Sequence, residues 1–416
     1  MSREMKHSGV QWIGDIPKDW DIDTIGNLYT LRNEKVSDKD YPPLSVSKMG
    51  VVPQLETAAK TDDGDNRKLV KVGDFAINSR SDRRGSCGIS AYDGSVSLIN
   101  TVITPREQMN PRFYSWLFHS ELFADEFYKW GHGIVDDLWT TRWQEMKRIS
   151  IVAPSSEEQQ KIASFLDRKC CEIDEMIALQ EKIIEELKAY KQSVITEAVT
   201  KGLNPDVPMK DSGIEWIGEI PEHWKVDLLS LLFEEHKQRN TGLLCKNLLS
   251  LSYGKIVRKN IDSVGGLLPQ SYDGYNIVDK GDIVFRLTDL QNDKKSLRTG
   301  LVRERGIVTS AYVTLRSRKP VLSAYYQYLF HSYDVMKVFY GMGDGVRQGM
   351  NYGDLRKMLI VTPPHSEQNE IVEFLDTKCT EIDNLISIKL SKIDSLKEYK
   401  KSIIYEYITG KKEVTE

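Results

Sequence analysis

The sequence predicts an α+β chain made by tandem duplication: a mixed strand-and-helix domain followed by one long helix, then the same again. Three observations carry this. Ser8-Gly9-Val10-Gln11-Trp12-Ile13-Gly14-Asp15-Ile16-Pro17-Lys18-Asp19-Trp20 returns as Ser212-Gly213-Ile214-Glu215-Trp216-Ile217-Gly218-Glu219-Ile220-Pro221-Glu222-His223-Trp224. Later parts return in the same order, about 204 to 212 residues on, which is the signature of a repeated structural unit. Each copy then closes on a long run with helical periodicity and no Gly or Pro.

The elements follow in order. After the opening motif, Leu44-Ser45-Val46-Ser47 and Leu249-Ser250-Leu251-Ser252 read as matched strands. Val72-Gly73-Asp74-Phe75-Ala76-Ile77 and Lys280-Gly281-Asp282-Ile283-Val284-Phe285 read as a turn running into a buried strand. Further strands are expected over 97–104 and 307–315. Tyr114-Ser115-Trp116-Leu117-Phe118-His119-Ser120 and Tyr326-Gln327-Tyr328-Leu329-Phe330-His331-Ser332 place aromatics at helical spacing, as core residues do.

The long helices begin after Pro154 and Pro363, each preceded by a short apolar strand. Ser156 is expected to cap the first, with Gln159 completing a capping box. About 45 residues without a breaker make roughly 65 Å of helix at 1.5 Å per residue. Leu166, Ile173, Leu187 and Val194 fall on one heptad position, and Met176, Ile183 and Tyr190 on a second. Leu375, Ile382, Leu396 and Ile403, then Leu385 and Tyr399, keep the phase in the second helix. Such a helix cannot bury its stripe alone, so the two are expected to pair as a coiled coil, with Gln180, Lys389 and Lys392 interrupting the seams. The expected divisions are a first mixed domain over 1–153, a first helix over 154–203, a linker and second mixed domain over 204–362, and a second helix with its tail over 363–416.

At 416 residues with 40% hydrophobic and 28% charged residues, the chain has enough apolar material for two cores. No apolar run reaches the length of a membrane span, and the first residues lack the apolar stretch of a signal peptide. Five cysteines without a C-x-x-C read as reduced thiols, so a cytoplasmic location is expected. The net charge of −4 argues against a general polyanion binder, but it is unevenly spread. Basic residues exceed acidic ones by four over 211–360, while both helical segments are acidic.

Catalytic patterns are missing. There is no phosphate-binding glycine loop, no H-E-x-x-H and no Cys/His cluster with zinc spacing, so no catalytic residue and no metal ligand is assigned. Asn204-Pro205-Asp206-Val207 lacks the base-stacking aromatic of an adenine methyltransferase motif and lies in a linker. Binding chemistry remains. Lys48 follows the first matched strand, Arg80, Arg83 and Arg84 share a polar loop with Gly85, and Arg142 closes a polar stretch from Gly131. In the second copy Lys255, Arg258 and Lys259 follow the matched strand. Arg286, Lys294, Lys295 and Arg298 make a second basic stretch, and Arg347 and Gln348 a third. Any one of these suits a solvated loop. At corresponding places in both copies they suit DNA, where Lys and Arg hold phosphates and Arg forks onto guanine. The loops agree in position and differ in sequence, as expected of one scaffold reading two sites.

The order of parts resembles the specificity subunit of type I restriction–modification enzymes over nearly the whole chain. The paired opening motifs carry the resemblance, together with the repeated helix starts. These are Glu158-Gln159-Gln160-Lys161-Ile162-Ala163-Ser164-Phe165-Leu166-Asp167 and Glu367-Gln368-Asn369-Glu370-Ile371-Val372-Glu373-Phe374-Leu375-Asp376, each running on to Glu-Ile-Asp. The resemblance implies two target-recognition domains, each reading half of a bipartite double-stranded DNA site. It implies two antiparallel helices that set the spacing and dock two modification (methyltransferase) subunits, with restriction subunits in the full complex. The chain itself would then be non-catalytic and hold no cofactor, S-adenosylmethionine, ATP and Mg belonging to its partners. Two other readings stay open on the residues alone: a scaffold that binds only proteins, and a divergent self-contained DNA methyltransferase or nuclease.

Overall fold

The computed structural model describes residues 3–54, 64–80, 83–106, 109–133, 139–260, 271–288, 297–341 and 349–415. These fall into two compact units, 1–181 with 390–416, and 182–389. Each unit therefore takes one mixed domain and a part of each long helix.

In the first unit the opening motif forms a hairpin, Met5–His7 against Asp15–Pro17. A four-stranded antiparallel sheet follows in the order Cys87–Ile89, Phe75–Asn78, Asn100–Pro105, Tyr29–Leu31. A three-stranded sheet runs Gly94–Val96, Arg67–Val70, Lys35–Val36. Leu44–Ser47 and Gly50–Pro53 form a separate hairpin. Asp21–Thr24 pairs with Ser150–Ala153, the strand that feeds the long helix. The second unit repeats this set. Its four-stranded sheet runs Phe233–Glu235, Val313–Ser317, Ile283–Phe285, Thr299–Leu301. Its three-stranded sheet runs Gln238–Arg239, Asn276–Val278, Gly306–Val308, and its hairpin is Leu249–Ser252 with Lys255–Arg258.

The turns before the buried strands are as read: Gly73 and Gly281 take φ of +88° and +96°, which a side chain disfavours. The strands expected over 97–104 and 307–315 are each broken. Asn100 N–H donates to Ser97 O, and Tyr312 N–H to Thr309 O. At these turns the chain leaves the three-stranded sheet and joins the four-stranded one. The aromatic helices, Pro111–His119 and Ser323–Val335, bury Phe113, Tyr114, Leu117 and Phe118, and Tyr325, Tyr326, Leu329, Phe330 and Tyr333. These side chains form the main core of each unit.

The long helices are Ser156–Lys201 and His365–Ile408. The cap of the first lies one residue earlier than expected: Ser155 Oγ accepts the Glu158 N–H at 3.3 Å. Gln159 does not close a capping box. It is buried, donates to Pro154 O at 2.8 Å and accepts the Asn110 N–H at 2.8 Å. Gln368 repeats this with Pro363 O at 2.9 Å and Leu322 N–H at 3.0 Å.

Within each unit the helix segments pack antiparallel. In the first, Lys400 pairs with Asp174 at 2.7 Å and Phe165 stacks near Tyr407, so residue number rises on one helix as it falls on the other. In the second, Lys191 pairs with Asp383 at 2.7 Å. One expected heptad position, Leu166 and Ile173, is buried; the other is not the one expected. Met176, Tyr190, Leu385 and Tyr399 are exposed, and the seam continues instead through Cys170, Ile177 and Lys400 and through Cys379 and Lys191. Cysteine packs as a small hydrophobe, and a lysine stem lies along the seam while its ammonium reaches an aspartate. Gln180 is buried and Lys389 half-buried in the seams, whereas Lys392 is exposed.

Candidate nucleic-acid interface

The opening motif anchors rather than binds. Trp20 is fully buried and its indole N–H donates to Glu158 Oε2 at 2.7 Å. Trp224 does the same to Glu367 Oε2 at 2.8 Å. Asp167 accepts the Trp116 indole N–H at 2.7 Å, and Asp376 the Tyr328 hydroxyl at 2.6 Å. The polar residues of the repeated helix starts therefore tie helix to domain. His119 accompanies them at the surface, bonded to Ser115 O at 2.7 Å.

Among the described residues, the basic stretches of the first unit come together, and in the second unit the hairpin meets the end of the second stretch. In the first, Lys48 is exposed at the tip of the Leu44–Pro53 hairpin. That hairpin lies so closely on the strand Cys87–Ile89 that a Cβ at Gly88 would fall 2.7 Å from Gly50 Cα. The same strand leaves the loop bearing Arg80, Arg83 and Arg84. A backbone bridge joins Arg80 to Thr140, and Thr141 N–H donates to Ser79 O at 3.0 Å, which brings Arg142 and its stretch alongside. In the second unit Gly300 holds the place of Gly88, and a Cβ there would meet Leu251 at 2.7 Å. The hairpin turn reaches the second basic stretch, with Leu297 Cδ1 3.1 Å from a Cβ at Gly254. Met350 N–H donates to Leu287 O at 2.9 Å, which sets Met350 beside the strand that carries Arg286.

The individual side chains differ. Arg83, Arg142, Lys255 and Lys259 are exposed, and Arg80 and Arg286 half-buried. Arg84 pairs with Asp125, and Arg258 with Glu304. Both pairs are exposed and screened by water, so a phosphate can replace the carboxylate at little cost. Lys294, Lys295, Arg347 and Gln348 lie outside the described residues. Arg298 is a correction. It is wholly buried, and its guanidinium donates to Thr288 O at 2.9 Å, Arg286 O at 3.2 Å and the Tyr340 hydroxyl at 3.1 Å. It holds the base of the loop and does not face a ligand.

Each unit also holds a buried carboxylate that sequence reading missed. Asp74 accepts Arg32 Nε at 2.6 Å and Thr104 Oγ1 at 2.8 Å. Asp282, at the same place in the second unit, accepts Arg316 Nε at 2.9 Å and His236 Nδ1 at 2.9 Å. The cation has changed strands: Arg32 corresponds to His236, and Thr104 to Arg316. The Asp282 carboxylate raises the Arg316 guanidinium above its ordinary pKa, and Asp74 does so for Arg32. His236, Asp279 and Asp282 have the chemistry of a metal triad, but Arg316 already bridges the two aspartates, at 2.7 and 2.9 Å.

No protein-family model matches the chain. It is 24% identical over 429 residues to the putative type I restriction enzyme MjaX specificity subunit of Methanocaldococcus jannaschii, covering 96% of this chain and 95% of that protein. It is 26% identical over 424 residues to the type I restriction enzyme MjaVIII specificity subunit of the same organism, covering 95% and 93%. In fold it is similar to a chain of a solved type I R-M system, with a TM-score of 0.70 at 14% identity, over 94% of this chain and 98% of that one. The HsdS subunit of Thermoanaerobacter tengcongensis is similar with a TM-score of 0.55 at 16% identity, over 95% and 98%. Sequence similarity along nearly the whole chain and a shared fold make the chain similar to type I restriction enzyme specificity subunits.

Proposed function

We propose that this chain is the DNA specificity subunit of a type I restriction–modification complex, each mixed domain reading one half of a bipartite site. One observation carries the reading. In each unit a hairpin packs on the strand that follows a basic stretch, and exposed basic residues stand at its turn, on the same scaffold and with different residues. A scaffold that only binds proteins has no use for paired basic surfaces of this kind. The chemistry, with S-adenosylmethionine, ATP and Mg, belongs to modification and restriction subunits in the cytoplasm, and this chain contributes recognition.

Two copies of a modification subunit fit the helices. Met176, Leu179 and Tyr190 are exposed on the first, at 42%, 54% and 57%. Leu385, Ile388 and Tyr399 repeat them at the same helical spacing on the second, at 46%, 62% and 55%. The first unit thus presents Met176, Leu179 and Tyr399 and the second Leu385, Ile388 and Tyr190, and exposed apolar side chains of this kind suit a protein partner.

The test is methylation-motif sequencing in cells carrying this chain with its methyltransferase. A two-part motif with a fixed gap is expected, and a continuous motif or none would overturn the reading. Sedimentation with the cognate subunit should reach a 2:1 complex, and Leu179→Glu with Ile388→Glu should abolish it. A complex that saturates at 1:1 would sink the two-site assignment.

A further inference from the structure

The hairpin tips carry side chains that folding does not account for. Tyr253 is 85% exposed and Met49 75% exposed, the two most exposed large apolar side chains among the described residues. They lie far apart in sequence, yet in the same two-residue turn of the same hairpin. Ser47 pairs with Gly50 around Lys48-Met49, and Ser252 with Lys255 around Tyr253-Gly254. Tyr253 also takes a φ of +48°, the left-handed region that disfavours a bulky side chain, beside Gly254 at +75°. Asn or Gly would suit that turn better. The tyrosine buries nothing in exchange, so its conformation and exposure point away from stability.

The surroundings say what it meets. Each tip pairs its apolar side chain with an exposed lysine, Lys48 in one unit and Lys255 in the other. Each hairpin lies against the strand leaving a basic loop, through Gly88 in one unit and Gly300 in the other. A narrow two-stranded ribbon with a cation and an apolar tip has the dimensions and charge of a groove reader. Such ribbons enter the major groove, where an apolar side chain distinguishes the thymine methyl from other base edges.

We propose that each hairpin tip enters a DNA groove, and that Tyr253 and Met49 each touch one base of their own half-site and add discrimination there. This rests on the reading of the chain as a DNA specificity subunit.

The test uses the complex with modification subunits and duplexes carrying every single-base variant of the mapped site. Tyr253→Asn keeps a residue at home in the left-handed region, so the hairpin is preserved. It should lose roughly tenfold discrimination at one position of one half-site, leave the other half-site unchanged and leave the salt slope unchanged, because no phosphate contact is lost. Met49→Ala should do the same in the opposite half-site. Lys255→Ala should instead weaken all variants alike and lower the salt slope by about one. Unchanged discrimination at every position in Tyr253→Asn and Met49→Ala would overturn the proposal. So would loss of complex assembly with specificity intact, which would make the tip a protein contact. A parent complex without any preferred sequence would overturn the underlying reading, and the tip assignment with it.

Discussion

Gly410, where the second long helix ends, lies against Trp20 of the opening motif: a Cβ built on it would fall 3.1 Å from the ring and 2.4 Å from Pro17 Cδ. Its φ is +70°. Gly202 ends the first helix on Trp224 in the same way, with 3.2 Å to the ring and a φ of +77°. Each buried tryptophan thus holds the start of one long helix through a glutamate and the end of the other through a glycine. Gly410→Ala should destabilise the first unit by roughly 2–4 kcal/mol, combining left-handed strain with overpacking against proline. Gly202→Ala, with more room, should cost less. Urea unfolding of the two variants measures both, and equal effects would contradict the difference in clearance.

Removing the glutamates should leave a buried indole N–H without an acceptor. Glu158→Ala and Glu367→Ala should each cost about 1–3 kcal/mol, while Glu158→Gln keeps an acceptor and should recover most of it. Arg3, whose pKa the Glu158 carboxylate raises, keeps only Asp19 as a partner in the same variant. Thermal unfolding of the three variants reads this directly. A Gln variant as unstable as the Ala variant would mean the charge matters more than the acceptor.

Basic residues of one stretch should separate into two behaviours. Arg298→Ala removes a buried cation that ties three groups together, and should destabilise the second unit by roughly 3 kcal/mol or more. Lys259→Ala should leave the unfolding midpoint unchanged and lower the salt slope of DNA binding by about one. Unfolding curves beside salt titrations distinguish them.

Acidification should weaken the second unit through His331. Burial, with Lys191 nearby, pushes its pKa down to about 4 from the ordinary 6.5. The unfolded chain therefore binds a proton that the folded chain refuses between about pH 6.5 and 4. Stability is complete above that window and falls as pH drops through it, by about 2 kcal/mol at pH 5. His331→Gln should flatten this dependence, as chemical unfolding at pH 7 and pH 5 would show.

The duplication, the long helices and the aromatic cores are legible in the sequence because each leaves a periodic or repeated trace. The seam is only half legible. Leu166 and Ile173 announce themselves, whereas Cys170, Lys191 and Lys400 do not look like seam residues until aspartates are seen to take the lysine charges. Met176 and Tyr190 look like seam residues and lie on an exposed flank. Arg298 stands in a basic stretch like its neighbours, and only the fold reveals the carbonyls that converge on it. Asp74 and Asp282 read as turn residues, since their cations come from distant strands. Met49 was hidden because an isolated methionine in a turn has no pattern to betray it.

The carboxylates of Asp74 and Asp282 bear on how far the strands of the two units are interchangeable. Crossovers inside the four-stranded sheet would mismatch the relocated cation. Placing the strand of Thr104 into the second unit would leave Asp282 with His236 and no arginine, and the reverse exchange would crowd two arginines onto Asp74. Both aspartates are almost completely buried, at 1% and 2% exposure, so water cannot correct either error. The two strands that supply each aspartate's partners are therefore a matched pair, to be exchanged between units together or not at all.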